Sequence, residues 1–103
     1  MSNMQLSDSS LFRQQAYIAG QWQDATDGAR IAVDNPATGA VIGHVPACSR
    51  AQTLEAIAAA EVAQAEWKKR LPAERAAILM AWHDLIIENI DDLAYIMSIE
   101  QGK

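Results

Sequence analysis

The chain has 103 residues, a length that allows one small domain, and a net charge of −5. Hydrophobic residues make up 50% of it, but 20 residues are alanines, each of which buries little apolar surface. Because acidic and basic residues are interspersed and no large basic patch is present, the composition argues against nucleic acid or an anionic membrane as a partner.

The single cysteine and the opening residues constrain the cellular location. Cys48 cannot form an internal disulfide, which fits a reducing compartment. The opening sequence MSNMQLSDSSLFRQQ has neither the basic start nor the apolar run of a signal peptide. No segment approaches the ~20 apolar residues of a membrane span. We therefore expect a soluble, cytoplasmic protein with no membrane partner.

The first half of the chain predicts turns and strands. Residues 1–15 are polar and are expected to form a flexible lead-in, with a turn of helix near residues 11–13. The segment AYIAGQWQDA alternates around a glycine and predicts a β-hairpin, followed by a turn at Thr26–Gly28. RIAVDNPATGAVIGHV predicts a second strand pair, with Pro36 and Gly39 in its turn. The glycines as a set are interpreted as turn residues, since they form no phosphate-binding loop.

Two helices are predicted after these strands. Ser49 and Gln52 form a capping-box pattern, so a helix should begin there and run to about Lys69. Pro72 occupies the first position of the next helix. This second helix carries a strong apolar stripe, made of Ile78, Leu79, Trp82, Leu85 and Ile86.

A third helix completes the predicted order of elements. Asn89–Asp92 is interpreted as a joint that places two aspartates in the first turn of this helix, where negative charge is favourable. Gly102 occupies the position of a left-handed helix cap. The sequence thus predicts an α+β chain with N-terminal β-hairpins followed by about three helices.

Few side chains indicate chemistry. His44 and His83 lie far apart in the sequence, and each is more typical of a surface or structural histidine than of a ligand. Cys48 precedes a helix N-terminus, where a thiol pKa can fall, but no base is signalled nearby. Asp91 and Asp92 are sequence neighbours that point apart on a helix, so helix-start electrostatics is favoured over a catalytic carboxylate pair.

Three motifs in order resemble the N-terminus of the aldehyde dehydrogenase superfamily. They are Ile-x-Gly-x-Trp at Ile18–Trp22, Asn-Pro-Ala-x-Gly at Asn35–Gly39, and Glu-x-Gly-Lys at Glu100–Lys103. The lead-in LFRQQA is most similar to bacterial NAD(P)-dependent succinate-semialdehyde dehydrogenases. The resemblance covers about residues 11–103 and corresponds to the beginning of a family member.

The resemblance implies an α/β, aldehyde dehydrogenase-like fold overall, in which residues 16–103 are the N-terminal, incomplete part of the cofactor-binding domain. It implies NAD or NADP as cofactor and a small aldehyde as substrate. The substrate that the resemblance favours is succinate semialdehyde, an intermediate of 4-aminobutyrate degradation. In the family, a cysteine thiolate attacks the aldehyde and a glutamate-activated water hydrolyses the resulting thioester. These residues and the cofactor contacts would follow Lys103, so none is assigned here.

Two further expectations follow from the resemblance. The chain is expected to be a fragment that is inactive alone, and the full-length enzyme is expected to be a homo-oligomer. In some family members an acidic residue joins backbone carbonyls around a monovalent cation, and the matching positions are Glu100 and the carbonyls of Val33 and Asp34. A solvated carboxylate at a helix end is the alternative for Glu100. The alternative function is a free-standing, non-catalytic interaction module that binds a partner through its apolar faces.

Overall fold

The protein, described here from a computed structural model covering residues 5–103, consists of two small antiparallel sheets followed by three helices. The elements are β1 (Ala16–Ile18), β2 (Gln21–Gln23), β3 (Arg30–Asp34), β4 (Val41–Pro46), α1 (Arg50–Trp67), α2 (Pro72–Glu88) and α3 (Ile90–Gln101), preceded by a 3₁₀ helix at Ser9–Leu11. This order confirms the predicted α+β arrangement of hairpins and helices.

The first hairpin joins β1 to β2 through a two-residue turn. Ala19 and Gly20 have φ values of 53° and 77°, and left-handed residues at both turn positions match the natural twist of the paired strands. Tyr17 lies opposite Trp22, and their ring centroids are 4.9 Å apart. The guanidinium of Arg13 lies 4.6 Å from the centroid of the Trp22 ring, so the lead-in also contacts this hairpin.

The second hairpin pairs β3 with β4 and contains the Asn-Pro-Ala-x-Gly motif. The Asn35 side chain accepts a hydrogen bond from the Ala37 amide at 2.9 Å, and the Asn35 carbonyl accepts one from Gly39 at 2.7 Å. Gly39 has a φ of 76°, which glycine adopts without strain. A register shift between Val33 and Asp34 bends β3 just before the turn.

Gln52 joins the first hairpin region to α1. Its side chain is only 1% exposed, and its carboxamide oxygen accepts hydrogen bonds from the amides of Thr26 at 3.1 Å and Ser49 at 3.3 Å. Its amide nitrogen donates to the Asp24 carbonyl at 3.0 Å. The Ser49 hydroxyl in turn accepts from the Gln52 backbone, which confirms the predicted capping box. The cap of α1 therefore also fixes the turn that follows β2.

The later helix boundaries also agree with the sequence-based interpretation. Pro72 is the first residue of α2, and the Glu74 carboxylate accepts a hydrogen bond from the Leu71 amide at 3.0 Å. Asp91 and Asp92 lie in the first turn of α3, and Gly102 caps this helix with a φ of 74°. The first helix ends at Trp67, two residues before the predicted Lys69.

The lead-in is tied to α3 through Asp92. This carboxylate is 8% exposed and accepts hydrogen bonds from the backbone amides of Ser7 at 3.0 Å and Asp8 at 2.9 Å. Asp92 therefore holds the lead-in as well as complementing the helix start, and the sequence analysis missed its contact with Ser7 and Asp8.

Within the lead-in, hydrogen bonds from the hydroxyl and the amide of Ser10 to the Asp8 carboxylate lower the pKa of Asp8.

A second contact joins the lead-in to β4. The Gln14 side-chain oxygen accepts a hydrogen bond from the His44 amide at 2.9 Å. The predicted turn of helix near residues 11–13 was placed slightly too late, because the 3₁₀ helix occupies Ser9–Leu11. Within the predicted lead-in 1–15, residues 1–4 lie outside the described part of the chain. Flexibility of this segment stays a prediction, but residues 7–14 make the contacts given above.

The apolar core is small, and most large apolar side chains remain accessible. In the part of the chain that the structure describes, the buried hydrophobic residues are Ile18, Ala25 and Ile42. The predicted stripe on α2 is 40–62% exposed at all of its positions, namely Ile78, Leu79, Trp82, Leu85 and Ile86. Within residues 5–103, none of the helices is long and apolar enough to cross a membrane. The exposure values leave the α2 stripe accessible to solvent in the described part of the chain.

Replacing Asp92 by asparagine should release the lead-in. An amide presents one oxygen instead of two and turns an NH₂ group toward one of the two backbone donors, which leaves that donor unpaired at a cost of about 1–3 kcal/mol. We expect trypsin to cleave after Arg13 roughly five times faster in Asp92→Asn than in the unchanged chain, as followed by mass spectrometry. Asp91→Asn is the control, because Asp91 is exposed and the amides of Ser7 and Asp8 bond to Asp92 instead. Equal cleavage rates in the two variants would contradict the role given to Asp92.

Candidate functional site

The end of α3 packs closely against the turn between β3 and β4. A Cβ atom built on Gly102 would lie 2.8 Å from Cγ of Pro36 and 2.9 Å from the Ala37 amide nitrogen. Both the left-handed backbone and this close approach require glycine at the position. The Glu-x-Gly-Lys motif therefore meets the Asn-Pro-Ala-x-Gly motif in space, although more than 60 residues separate them in the sequence.

A small cavity next to this contact contains two of the predicted cation-site residues. It has a volume of about 50 Å³, and Val33 and Glu100 both line it. Other lining residues come from the lead-in and β4, among them Arg13, Gln14 and His44. One water needs about 10–15 Å³ on the same measure, so the cavity can hold a small ion with one or two waters.

Asp34 is the third residue of the predicted site, and the structure does not place it among the residues that line the cavity. It follows Val33 at the register shift in β3. A bulge of this kind turns successive carbonyls away from the regular ladder, so that they become available to other partners. The arrangement brings Glu100 and Val33 together and leaves Asp34 at the margin.

The charges around the cavity are mixed. Arg13 and Glu100, which carry opposite charges, both line the cavity. The guanidinium of Arg13 lies over the Trp22 ring. Among the described residues, the ion pairs are Lys69 with Glu66 and His83 with Asp84, so Glu100 is not paired with Arg13. Sequence reasoning missed Arg13, since nothing in the spacing of the two residues predicts that they share a cavity.

Gly43 also shapes this region, and the interpretation of all glycines as turn residues was wrong for it. Gly43 lies inside β4, where a Cβ atom would meet the Gln14 side-chain oxygen at 2.7 Å and the Phe12 ring at 2.9 Å. The lead-in can lie on this strand because the side chain is absent. A glycine inside a β pattern is the signal that could have indicated this close approach.

The other candidates for chemistry remain separate. His44 lies on β4, whereas His83 lies on α2 with its ring nitrogen 3.2 Å from the Asp84 carboxylate, an exposed pair. Cys48 is half-buried in the connection between β4 and α1. Within residues 5–103, no group of three or more His, Cys, Asp or Glu side chains is placed to hold a metal ion. Any cation at the Glu100 cavity would therefore depend on backbone and water oxygens as well.

Comparison with known proteins shows the class to which the chain belongs. The model of the aldehyde dehydrogenase family matches residues 22–103. A solved structure, described as an NADP-dependent enzyme of E. coli, is 48% identical and superimposes with a TM-score of 0.92 over 96% of this chain and 21% of that chain. The chain belongs to the aldehyde dehydrogenase family, and its structure matches the N-terminal region of that fold.

Two curated relatives narrow the comparison to semialdehyde dehydrogenases. The glutarate-semialdehyde dehydrogenase of Pseudomonas aeruginosa is 55% identical over 100 residues, which are 97% of this chain and 21% of that protein. The NADP(+) succinate-semialdehyde dehydrogenase GabD of Escherichia coli is 49% identical over the same shares of the two chains. The chain thus spans about a fifth of the length of the curated relatives that it matches.

Substitution of Gly102 by alanine should separate backbone strain from close packing. Gly28 is a matched control, because it has nearly the same φ, 75° against 74°, but open space around its Cβ position. Alanine at either site should lower the free energy of unfolding by about 1–2 kcal/mol through strain. At Gly102 the clash with Pro36 should add about 1 kcal/mol or more. Denaturant unfolding followed by circular dichroism measures the free energy of unfolding of each variant. Equal decreases for Gly102→Ala and Gly28→Ala would contradict the close approach of Gly102 to Pro36.

Proposed function

We propose that this chain is the N-terminal segment of an NAD(P)-dependent aldehyde dehydrogenase that oxidises succinate semialdehyde to succinate. The observation that carries the proposal is the superposition with the E. coli enzyme over 96% of the chain, joined by three family motifs in order. In this proposal residues 16–103 are the first part of the cofactor-binding domain. Bound to the complete enzyme, NAD or NADP would supply the hydride acceptor, and none of the residues that would hold it is assigned to this chain.

The contribution of this segment to the reaction is structural. Gln52 and Gly102 hold the hairpins against the helices, so that the helices present their apolar faces at a fixed geometry. The nucleophile, the base and the cofactor contacts are assigned to no residue of this chain. Catalysis needs these groups positioned together, which is why we propose that the chain is inactive alone and acts as part of a larger, oligomeric enzyme.

Glutarate semialdehyde is the second candidate substrate. The relative named for this substrate is 55% identical to the chain, whereas the relative named for succinate semialdehyde is 49% identical. The two substrates differ by one methylene group, a difference that an apolar pocket discriminates by about 10–200-fold. The residues that make this choice are not assigned within the chain, so a direct comparison of the two substrates is needed.

The gene sequence beyond the Lys103 codon and an activity assay test the proposal together. We expect an open reading frame that continues the family pattern, and a full-length product that reduces NAD or NADP with succinate semialdehyde. The 103-residue chain should give no reduced cofactor above a boiled control at 340 nm (the absorbance of the reduced nicotinamide; about 10⁻³ of full-length activity is the useful detection limit). Turnover by the 103-residue chain would contradict the proposal. A full-length product that shows no turnover would contradict it as well. A higher kcat/KM for glutarate semialdehyde would favour the second substrate.

We also propose that Glu100 supports a Na⁺ or K⁺ site in the full-length enzyme, together with the carbonyls of Val33 and Asp34. The shared cavity of Val33 and Glu100 and the bulge at Asp34 support this assignment. Arg13 opposes it, because its positive charge lines the same cavity. A cation would therefore have to remain partly hydrated beside Arg13.

Thermal melting in different chloride salts tests the cation role. Melting temperatures of the full-length protein should be higher in potassium or sodium than in tetramethylammonium, by about 1 °C for each kcal/mol of binding energy in a protein of this size. Glu100→Gln should abolish this difference. Glu88→Gln, at the end of α2 and outside the cavity, should retain it. If Glu100→Gln and the unchanged protein respond alike to all three cations, the proposed role is wrong.

A further inference from the structure

The outer edge of β3 is accessible. In the part of the chain that the structure describes, β3 pairs with β4 alone, in a two-stranded antiparallel sheet. Four of its five residues are exposed, and the fifth, Val33, is half-buried. A strand edge of this kind presents backbone amides and carbonyls to which another strand can bond.

The register of the ladder shows which backbone groups of β3 point outward. The Ala47 amide donates a hydrogen bond to the Ala29 carbonyl at 2.8 Å, so these two residues form a hydrogen-bonded pair. Hydrogen-bonded and non-hydrogen-bonded pairs alternate along an antiparallel ladder. Arg30 and Ala32 therefore form non-hydrogen-bonded pairs with β4, and their amides and carbonyls point away from it.

The other end of β3 obeys the same alternation. The Asn35 amide donates to the Ala40 carbonyl at 2.9 Å, which leaves Asp34 in a non-hydrogen-bonded pair. Three residues of β3 thus direct their backbone groups to the outer edge, namely Arg30, Ala32 and Asp34.

The outer edge of β4 is closed. The His44 amide donates to the Gln14 side-chain oxygen at 2.9 Å, and the His44 carbonyl accepts a hydrogen bond from the Arg30 guanidinium at 3.2 Å. Pro46, the next residue that points outward, has no amide hydrogen to donate. A further strand would need these groups, so the hairpin offers the β3 edge for pairing and protects the β4 edge.

We propose that β3 pairs in antiparallel orientation with β3 of a second copy of this chain, about a two-fold axis at Ala32. The strand sequence RIAVD complements itself in this register. Arg30 lies opposite the partner's Asp34, and Ala32 lies opposite the partner's Ala32. The pairs join the residues whose backbone groups point outward, so each pair exchanges two hydrogen bonds.

The charges of β3 favour a second copy as the occupant. The whole chain has a net charge of −5, which opposes association, but β3 carries one positive and one negative side chain. Self-pairing places Arg30 and Asp34 in two symmetry-related pairs of opposite charge, which stabilise an antiparallel ladder. The Arg30 bond to the His44 carbonyl is exposed, so the guanidinium can exchange it for the partner's carboxylate.

The apolar side chains of β3 also match in this register. Ile31, which is 55% exposed, lies opposite the partner's Val33 on one face of the joined sheet. The result is a four-stranded sheet in the order β4, β3, β3, β4, with a closed β4 edge on each side. Association should therefore stop at the dimer.

Charge reversal tests the pairing in the 103-residue chain. Sedimentation equilibrium should show a monomer and a dimer with a Kd of about 100 µM, as expected for a small interface. Arg30→Asp and Asp34→Arg should each raise the Kd at least about tenfold, because like charges then face each other in both pairs. The double variant with both substitutions should return the Kd to within about threefold of the unchanged chain. The two positions are about 13 Å apart along one strand, so this rescue requires contact between copies.

Two further variants separate edge pairing from net charge. Arg50→Asp, at an exposed position on α1, changes the net charge as much as Arg30→Asp does and should leave the Kd unchanged. Ala32→Pro removes the central outward amide without breaking a bond to β4. It should therefore abolish the dimer while the circular dichroism of the helices stays the same.

The other outcomes overturn the inference. A chain that stays monomeric up to about 1 mM would leave the β3 edge to some other strand. A dimer that Arg30→Asp leaves intact, or that the double variant fails to restore, would be held together by another surface, such as the apolar stripe of α2. Growth beyond the dimer would contradict the closed β4 edge.

Discussion

The buried carboxamide of Gln52 is the interaction on which the geometry of the whole chain depends. It is 1% exposed and bonds to Asp24, Thr26 and Ser49, so one side chain closes the first hairpin region, starts α1 and satisfies its own polar atoms. Leaving such a group unpaired would cost about 1–3 kcal/mol, which is comparable to the contribution of burying one isoleucine such as Ile18 or Ile42. The polar contact therefore has to compensate for the limited apolar burial.

The same principle recurs at the two other long-range contacts. Asp92 uses two backbone donors to hold the lead-in, and Gly102 permits the end of α3 to contact the turn at Pro36. Each of these contacts fixes the direction of a segment. Meanwhile the largest apolar side chains of α2 remain exposed. The shape of the chain is thus set by polar and close backbone contacts, while the large apolar side chains of α2 stay accessible.

Local features were predictable from the sequence, and long-range contacts were not. The Ser49–Gln52 cap, the hairpin turns and the Gly102 cap depend on residues within a few positions of one another, so spacing alone indicates them. The bonds from Asp92 to the lead-in span 84 and 85 residues, and no periodicity encodes such a pairing. At the cavity, resemblance indicated Glu100 and Val33, but the presence of Arg13 depends on how the lead-in crosses β4.

The Asp92 contact also has a consequence for the order of events during synthesis. Ribosomes add about 5–20 residues per second, so Asp92 is made about 4–17 s after the Ser7 amide that it binds. The Gln52 contacts span only 26 and 28 residues and can form well before that time. The emerging chain can thus complete its hairpins and the start of α1 before Asp92 is made, so the bonds that tie Ser7 and Asp8 to α3 form after those elements.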